Sequence, residues 1–268
     1  MKKYIARVYA WVMARREFRR LNTYLAKIGL KGLGILYSNN PKENGEHSFL
    51  KRTLKAYDLS LVFDVGANKG GYAEMLLQMG YGGKIYCFEP HPQTFKNLSR
   101  DLENPNISLF NLGLSSKIGT ATIYDHFNED GSEHASLFKE VIETIHHNKA
   151  VSQEVALTTI DDFVLTHGIP KIDLLKIDTE GNEFNVLLGA VEALEMGKID
   201  IIHLEFNEMN VVSRVFLKDF YFLLKGYNLY RLLPNGSLPI SYDKSLFNEL
   251  FSYQNIVAIR KDIDKYKT

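Results

Sequence analysis

The chain has 268 residues, 32 acidic and 32 basic side chains, and one cysteine. This length suffices for one large domain with a sizeable core. The zero formal net charge argues against nucleic-acid binding by the whole chain, and the lone cysteine excludes an internal disulfide. No apolar run is near the roughly 18 residues of a membrane-spanning helix, and no signal-peptide pattern opens the chain, so we expect a cytoplasmic protein.

The first 31 residues are strongly basic, with nine Lys or Arg and one acid, Glu17. Their apolar residues recur at spacings of three and four, which predicts one helix face made of Tyr4, Val8, Trp11, Ala14, Phe18, Leu21, Leu25 and Ile28. Such a basic amphipathic helix either lies on an anionic membrane, here at the inner face, or packs on protein, including a second copy of the chain. The Gly- and Asn-rich residues 32–48 indicate a linker, so residues 1–56 form an N-terminal helix-and-linker region.

Residues 57–262 predict a single domain in which strands and helices alternate. This alternation is typical of a parallel sheet covered by helices on both faces. We expect strands near 61–65, 84–88, 107–112, 172–178 and 199–206, and helices near 47–56, 70–79, 92–103, 181–196 and 213–225. Two last strands, near 227–232 and 255–260, suit an antiparallel pair at the sheet edge, and residues 263–268 are a tail.

The alternation is interrupted before the second half of this domain. Strands near 118–124 and 151–157 flank a polar stretch, residues 125–150, which includes His134. Because long insertions near a sheet edge often carry function, we expect this stretch to cover a substrate. A surface loop with incidental histidines is the alternative.

A ligand-binding turn is predicted after the first strand, which ends at Asp64. Gly66 and Gly70 allow the turn to approach a ligand closely, and the following helix points free N–H groups at the same place. The spacing differs from the Gly-x-Gly-x-x-Gly of dinucleotide-binding folds, and the carboxylate of Asp64 suits a ligand with a cationic amino group. Glu89 ends the next strand, where a carboxylate can accept hydrogen bonds from a ribose.

Acidic residues also end two later strands. Lys176, Asp178 and Glu180 share one face of an extended segment, and His203 and Glu205 share one face of the next strand. Acids at this density repel one another unless a cation, a metal or a shared proton relieves them. Lys176 is one source of relief, and a divalent ion held by Asp178, Glu180 or Glu205 is another.

Four motifs, in their order and spacing, resemble those of the FkbM family of S-adenosylmethionine-dependent methyltransferases. They are Asp-Val-Gly-Ala-Asn-x-Gly from Asp64, Phe-Glu-Pro-x-Pro from Phe88, Asn-Leu-Gly-Leu-Ser from Asn111, and Leu-Lys-Ile-Asp-x-Glu-Gly-x-Glu from Leu175. The resemblance extends from about Gly45 to Arg260 and departs at Thr179, where the family usually has an apolar β-branched residue. It implies an α/β fold with a Rossmann-like, seven-stranded class I methyltransferase sheet, and O-methylation of a sugar, glycan or glycolipid hydroxyl.

The resemblance also implies residue roles around S-adenosylmethionine. Its methionine part would be held by the turn from Asp64 to Gly70, its ribose by Glu89, and its adenine by Asn111 and neighbouring residues. The full expected cofactor-binding set is Asp64, Gly66, Ala67, Asn68, Gly70, Tyr72, Glu89, Pro90, Asn111, Gly113 and Asp178. Asp178 and Glu180 would also face the acceptor.

The implied reaction is an in-line attack of a hydroxyl oxygen on the sulfonium methyl, accelerated by near-attack positioning and by a base. The candidate catalytic residues are Asp178, Glu180, His203, Glu205 and His134. His203 lies in an apolar strand and equally suits a hydrogen-bonded core histidine, and His134 equally suits a solvent-facing position. Two other functions stay open: an NAD-dependent oxidoreductase, and a non-catalytic membrane- or complex-associated module with a methyltransferase-like fold.

Overall fold

The computed structural model describes residues 2–36, 40–126, 135–145, 147, 149–242 and 247–266, without the side chains of Lys2 and His126. His134 lies outside the described residues, so its catalytic role stays a prediction. The helices are α1 (Lys2–Met13), α2 (Arg19–Gly32), α3 (Glu46–Ala56), α4 (Gly71–Gln78), α5 (Pro92–Asp101), α6 (Ile160–Thr166), α7 (Glu183–Leu188), α8 (Val191–Glu195), α9 (Met209–Ser213) and α10 (Leu217–Leu223). The strands are β1 (Leu61–Val65), β2 (Lys84–Phe88), β3 (Ile107–Phe110), β4 (Gly113–Leu114), β5 (Gly119–His126), β6 (Ala150–Thr158), β7 (Ile172–Ile177), β8 (Ile199–Phe206), β9 (Tyr227–Leu233), β10 (Gly236–Pro239) and β11 (Gln254–Arg260).

The main sheet has eight strands in the order β10-β9-β11-β8-β7-β1-β2-β3. Five neighbouring strands of this sheet, β8, β7, β1, β2 and β3, run parallel. Strand β11 pairs antiparallel with both β8 and β9. The predicted α/β class and the antiparallel pair are confirmed. The sheet has one strand more than the expected seven, because Gly236–Pro239 pairs with β9 as an added edge.

Two apolar clusters cover the two faces of this sheet, because successive side chains of each strand point to opposite sides. Phe63 and Leu175 belong to one cluster, while their neighbours Val62 and Leu174 belong to the other. All six residues of β7 are buried. This double-sided burial explains the near-continuous apolar runs of the central strands.

The expected helix over 181–196 is wrong in one respect, because it is broken into α7 and α8 at Gly189. A Cβ on Gly189 would lie 2.1 Å from the carbonyl oxygen of Ser115, so the chain passes too close there for a regular side chain. The second helix then begins where the Asp161 carboxylate accepts hydrogen bonds from the N–H groups of Glu192 and Ala193. The expected helix over 213–225 corresponds to α10, and the short helix α9 precedes it.

The single N-terminal helix predicted over residues 1–31 is also wrong, since α1 and α2 are separate. Asn22 joins them: its amide donates to the carbonyl oxygen of Met13 at 2.7 Å and accepts from the Tyr9 hydroxyl at 2.5 Å. The apolar spacing continues across the break, so the pattern did not reveal it. In the part of the chain that the structure describes, no helix is long and apolar enough to cross a membrane.

The interrupted region forms a small second sheet in the order β4-β6-β5. The strands predicted near 118–124 and 151–157 lie in β5 and β6, which pair antiparallel. Residues 127–134, 146 and 148 of the polar stretch between them lie outside the described residues, and its role as a substrate cover stays a prediction. The tail is partly packed, because Asp264 accepts hydrogen bonds from Asn228 and Tyr230.

Candidate active site

The turn between β1 and α4 is tightly wound and tied to the end of β2. Gly66 and Gly70 have φ angles of +80° and +85°, and Asn68 has +48°. The N–H groups of Gly66 and Ala67 both donate to the carbonyl oxygen of Phe88, at 2.9 and 3.0 Å. Glycine adopts this left-handed region without strain, so the two glycines allow the turn to fold back on the sheet edge.

Glu89 organises the next strand end through both of its carboxylate oxygens. Oε1 accepts from the N–H of His91 at 2.8 Å, and Oε2 accepts from the N–H of Asn68 at 2.9 Å. Burial raises the pKa of Glu89 to about 7, although these two hydrogen bonds lower it. The Asn111 amide donates to the carbonyl oxygens of Glu89 and Pro90, so it supports the loop that Glu89 begins.

A cavity opens beside these residues. Its polar wall includes Asn68, Glu89 and Asp178, and its apolar wall includes Leu114 and Leu157. Of the expected cofactor-binding residues, Gly66, Pro90 and Gly113 also line it. A mostly apolar wall with a few convergent polar groups is typical of a small-molecule site.

A second cavity adjoins the first, and the two share Gly66, Asn68, Asp178 and Glu180. The lining of the second cavity includes the expected residues Asp64, Ala67, Tyr72 and Glu205. The structure therefore brings the acidic ends of β1, β2, β7 and β8 together along one edge, as the sequence predicted.

Lys176 lies at the centre of the acidic cluster. Its Nζ is 3.3 Å from Asp178 Oδ2 and 3.7 Å from Glu205 Oε1, and the residue is 3% exposed. Burial opposes the ammonium charge, but Asp178, Glu205, Glu46 and Asp64 together raise the pKa of Lys176 above its usual value. Lys176 therefore carries a permanent charge that partly balances these carboxylates.

Asp64 is the most deeply buried of the acids that line either cavity, at 2% exposure. Its Oδ2, and the buried Oδ1 of Asn68, accept no hydrogen bond from any residue that the structure describes. Burial raises the pKa of Asp64 to about 7, because Lys176 lowers it less than burial raises it. Buried acceptors without partners are costly, and a ligand that donates to them would relieve that cost.

The second cavity is also lined by Tyr253 and Glu46, which the sequence analysis missed. Tyr253 donates from its hydroxyl to Glu205 Oε1 at 2.8 Å, and Asn44 donates to the same hydroxyl at 3.3 Å. Glu46, the first residue of α3, is buried near Lys176, and burial raises its pKa. The pKa of Glu205 is also raised well above its usual value by burial and by Asp178, against the opposing effects of Lys176 and Tyr253.

His203 is fully buried in β8. Its Nδ1 is 3.3 Å from the Tyr72 hydroxyl, and its Nε2 is 3.0 Å from Asn255 Oδ1. Burial first, and Lys176 second, lower the pKa of His203 well below its usual value. These contacts agree with the second interpretation of His203, a hydrogen-bonded core histidine.

The loop after β7 is fixed by Glu183. Its Oε1 accepts from the N–H groups of Thr179 and Gly181, at 2.9 and 3.1 Å, and from the Thr179 hydroxyl at 3.1 Å. Glu180 lies between these anchors with a φ of +51°, and its carbonyl oxygen accepts from the Ser136 hydroxyl at 2.7 Å. Because Ser136 also forms a β-bridge with Tyr124 of β5, the small second sheet is joined to the acidic edge.

No three His, Cys, Asp or Glu side chains are arranged to hold a metal ion within the described ranges. The carboxylates of Asp178, Glu180 and Glu205 are thus brought to one cavity without forming a metal-binding group in this conformation. The role of a divalent ion stays a hypothesis.

Comparison with known proteins identifies the family of this chain. The methyltransferase FkbM domain matches residues 64–226, more than half of the chain, and this segment includes the turn, Glu89, Asp178 and Glu205. The chain belongs to the FkbM methyltransferase family. The resemblance inferred from the four motifs is confirmed, and with it a methyltransferase function.

Relatives of the FkbM domain of this chain include two proteins named for the groups they methylate. The 2-O-methyltransferase NoeI of Sinorhizobium fredii is 22% identical over 185 residues, which cover 66% of this chain and 75% of NoeI. The hexuronic acid methyltransferase AglP of Haloferax volcanii is 25% identical over 165 residues, covering 60% of this chain and 62% of AglP. A solved FkbM methyltransferase from Methylobacillus flagellatus superposes with a TM-score of 0.46 at 12% identity, over 75% of this chain and 43% of that one.

Proposed function

We propose that this protein is an S-adenosylmethionine-dependent O-methyltransferase that acts on a hydroxyl of a sugar, glycan or glycolipid. The cofactor assignment rests on two buried acceptors at the sheet edge, Asp64 Oδ2 in β1 and Asn68 Oδ1 on the left-handed turn, which have no hydrogen-bond partner among the described residues. The family to which the chain belongs supports methyl transfer, the name of NoeI supports an oxygen acceptor, and the name of AglP supports a saccharide acceptor.

S-adenosylmethionine fits the chemistry of these residues. Its amino group would donate to the buried carboxylate oxygen Oδ2 of Asp64, and its sulfonium charge would be attracted to the carboxylate of Asp178. Its ribose hydroxyls would bind at Glu89, and its adenine would contact the apolar wall that includes Leu114 and Leu157. When bound, the cofactor supplies an electrophilic methyl group on a cationic sulfur.

The residues of the second cavity would prepare the acceptor hydroxyl. Of the candidate bases, Glu205 has a raised pKa, lines the cavity and is oriented by Tyr253. Because a raised pKa makes the ionised carboxylate a stronger base, we assign to Glu205 the removal of the hydroxyl proton. Asp178 and Glu180, which both cavities share, would orient the acceptor between them.

Lys176 has a separate role in this proposal. It lies between Asp178 and Glu205 and keeps its charge, so it neither gives nor takes the proton. Its charge offsets the repulsion between the side chains of Asp178 and Glu205. His203, with both ring nitrogens facing partners, would hold Tyr72 and β11 in position and take no part in proton transfer.

Binding of S-adenosylhomocysteine, measured by isothermal titration calorimetry, tests the cofactor assignment. We expect binding by the wild type and at least about a tenfold loss for Asp64→Ala, because one charged hydrogen bond contributes about 1.5–3 kcal/mol. Undiminished binding to Asp64→Ala, or a melting-temperature shift with NAD and none with S-adenosylmethionine, would contradict the proposal.

The acceptor class is tested separately, by transfer of labelled methyl groups from S-adenosylmethionine. A panel of neutral sugars, hexuronic acids, glycans and glycolipids is compared with small phenols and peptides. We expect the label in a saccharide-containing acceptor, where it is held as a methyl ether that is stable to alkali. Label only in peptide or phenol would leave the cofactor assignment intact and overturn the acceptor assignment.

A further inference from the structure

The paired helices α1 and α2 carry an exposed apolar surface. Ten of their large apolar or aromatic side chains are at least 39% exposed: Tyr4, Ile5, Val8, Tyr9, Trp11, Val12, Leu21, Tyr24, Leu25 and Ile28. Trp11 is 79% exposed and Tyr4 is 73% exposed. So many exposed apolar side chains on two paired helices indicate an interaction site, since scattered single residues would be the ordinary case.

The same two helices are surrounded by basic side chains. The described basic residues from position 3 to position 31 are all exposed: Lys3, Arg7, Arg15, Arg16, Arg19, Arg20, Lys27 and Lys31. Glu17 is the one acid in residues 1–31, while the whole chain has equal numbers of acids and bases. The positive charge is therefore concentrated on the surface that also exposes the apolar side chains.

We propose that α1 and α2 form a membrane-surface anchor that binds bilayers containing anionic lipids. Apolar side chains of an interfacial helix enter the headgroup boundary, and Lys and Arg attract anionic headgroups. Trp and Tyr are favoured at this boundary because each has an apolar body and a polar edge. Trp11, Tyr4 and Tyr24 supply this chemistry on the exposed surface.

A bilayer accounts for these features better than a second copy of the chain. Pairing two copies through this surface would bring two sets of basic side chains together with only Glu17 from each copy to balance them. Like charges at that density oppose association, whereas an anionic bilayer attracts both helices at once. A nucleic acid would satisfy the charge but not the exposed aliphatic side chains such as Ile5 and Val8.

The anchor joins the domain beside the candidate active site. Ile35, just after α2, is fully buried, and the N–H of Leu36 donates to the carbonyl oxygen of Tyr253 at 3.0 Å. The side chain of Tyr253 lines the second cavity. Membrane binding through the anchor would therefore bring this cavity close to the bilayer. The binding itself does not depend on methyl transfer.

Flotation of the full-length protein with liposomes tests this inference. Vesicles of phosphatidylcholine with phosphatidylglycerol are compared with vesicles of phosphatidylcholine alone. We expect the protein to float with the anionic vesicles, with binding at least about tenfold weaker for neutral vesicles. Absence of flotation with anionic vesicles, or equal flotation with both kinds, would overturn the proposal.

Matched substitutions locate the binding surface. Trp11→Glu should weaken flotation about tenfold, because it removes the most exposed aromatic side chain and adds a negative charge. Arg19→Glu combined with Arg20→Glu should weaken it similarly. Leu165→Glu is the control, because Leu165 is 80% exposed on α6, outside the anchor, and it should leave flotation unchanged.

Two other outcomes would also overturn the proposal. The first is a concentration-dependent dimer in sedimentation experiments that Trp11→Glu dissociates while flotation stays unchanged. The second is retention of RNA that depends on Arg19 and Arg20 in a protein that does not float. Since the substituted side chains are exposed, we expect an unchanged melting temperature for each variant, so a loss of flotation reports on the surface.

Discussion

The α-carbon of Gly66 faces the carbonyl oxygen of Asp178 so closely that a Cβ on Gly66 would lie 1.7 Å from that oxygen. This contact joins the turn after β1 to the loop after β7, which are the two segments shared by both cavities. Gly66 also has a φ of +80°, a backbone conformation that residues other than glycine rarely adopt. Because Gly66 has no side chain, the turn after β1 and the loop after β7 can pack directly against each other.

The first prediction concerns this contact. Gly66→Ala should lower the free energy of unfolding by at least about 2 kcal/mol and abolish detectable S-adenosylhomocysteine binding, because the clash is with backbone and φ is positive. Gly71→Ala is the matched control, since a Cβ there meets no atom within 4 Å. Urea unfolding and calorimetry measure both effects, and equal behaviour of the two variants would contradict the prediction.

The parts of the site that lie close together along the chain were predictable. Asp64, Gly66 and Gly70 belong to one strand–turn–helix unit, and Glu89 ends the neighbouring strand, so their proximity follows from local pattern and from the geometry of parallel sheets. Glu46 and Tyr253 were not predictable in this way. They come from segments next to a linker and a long connection, and only tertiary packing brings them to Lys176 and Glu205.

The breaks in predicted helices have the same origin. At Gly189 the helix stops because the carbonyl oxygen of Ser115, distant in sequence, approaches its backbone. Between α1 and α2 the chain contains neither Gly nor Pro, and the apolar spacing continues. The hydrogen bonds of Asn22 to Tyr9 and Met13 become evident only when the two helices are in place.

The second prediction separates stability from binding at Asp64. Asp64→Asn should raise the free energy of unfolding of the ligand-free protein at pH 8 by about 1 kcal/mol, because a neutral amide avoids the burial of a charge. The same change should weaken S-adenosylhomocysteine binding. Asp58→Asn, at an exposed acid just before β1, is the control and should change neither quantity.

The pH dependence gives this second prediction its sign. The pKa of Asp64 is raised from 3.8 to about 7 in the folded protein. The contribution of Asp64 to the free energy of unfolding is therefore fully present below pH 4 and is lost as the pH rises towards 7 and beyond. The stability gain of Asp64→Asn should therefore be larger at pH 8 than at pH 5. A gain that is equal at both pH values would contradict the raised pKa.

The third prediction concerns the charge at the centre of the acidic cluster. Lys176→Met should lower the free energy of unfolding by about 3–5 kcal/mol at pH 8, because it leaves Asp178 and Glu205 without their cation. The loss should be smaller at pH 5, where protonation of Glu205, whose pKa is raised, relieves the repulsion. Lys84→Met, at an exposed lysine that begins β2, is the control, and urea titrations at the two pH values measure the difference.

The fourth prediction tests Glu205 as the base, with an acceptor identified by the methyl-transfer panel. Glu205→Gln should lower kcat by about 100-fold while S-adenosylhomocysteine affinity is retained, since the amide cannot take a proton. The exposed neighbour Glu208 provides the control, and Glu208→Gln should keep the wild-type rate. If kcat of Glu205→Gln were unchanged, Asp178 or Glu180 would take the role of the base.

Tyr253→Phe gives a sharper test of the same assignment. The Tyr253 hydroxyl donates to Glu205 and lowers its pKa, so its removal should raise that pKa further. The ionised base would then be populated only at higher pH, and the acidic limb of the kcat profile should move to higher pH than in the wild type. A purely structural role for Tyr253 would lower the rate at all pH values without moving that limb.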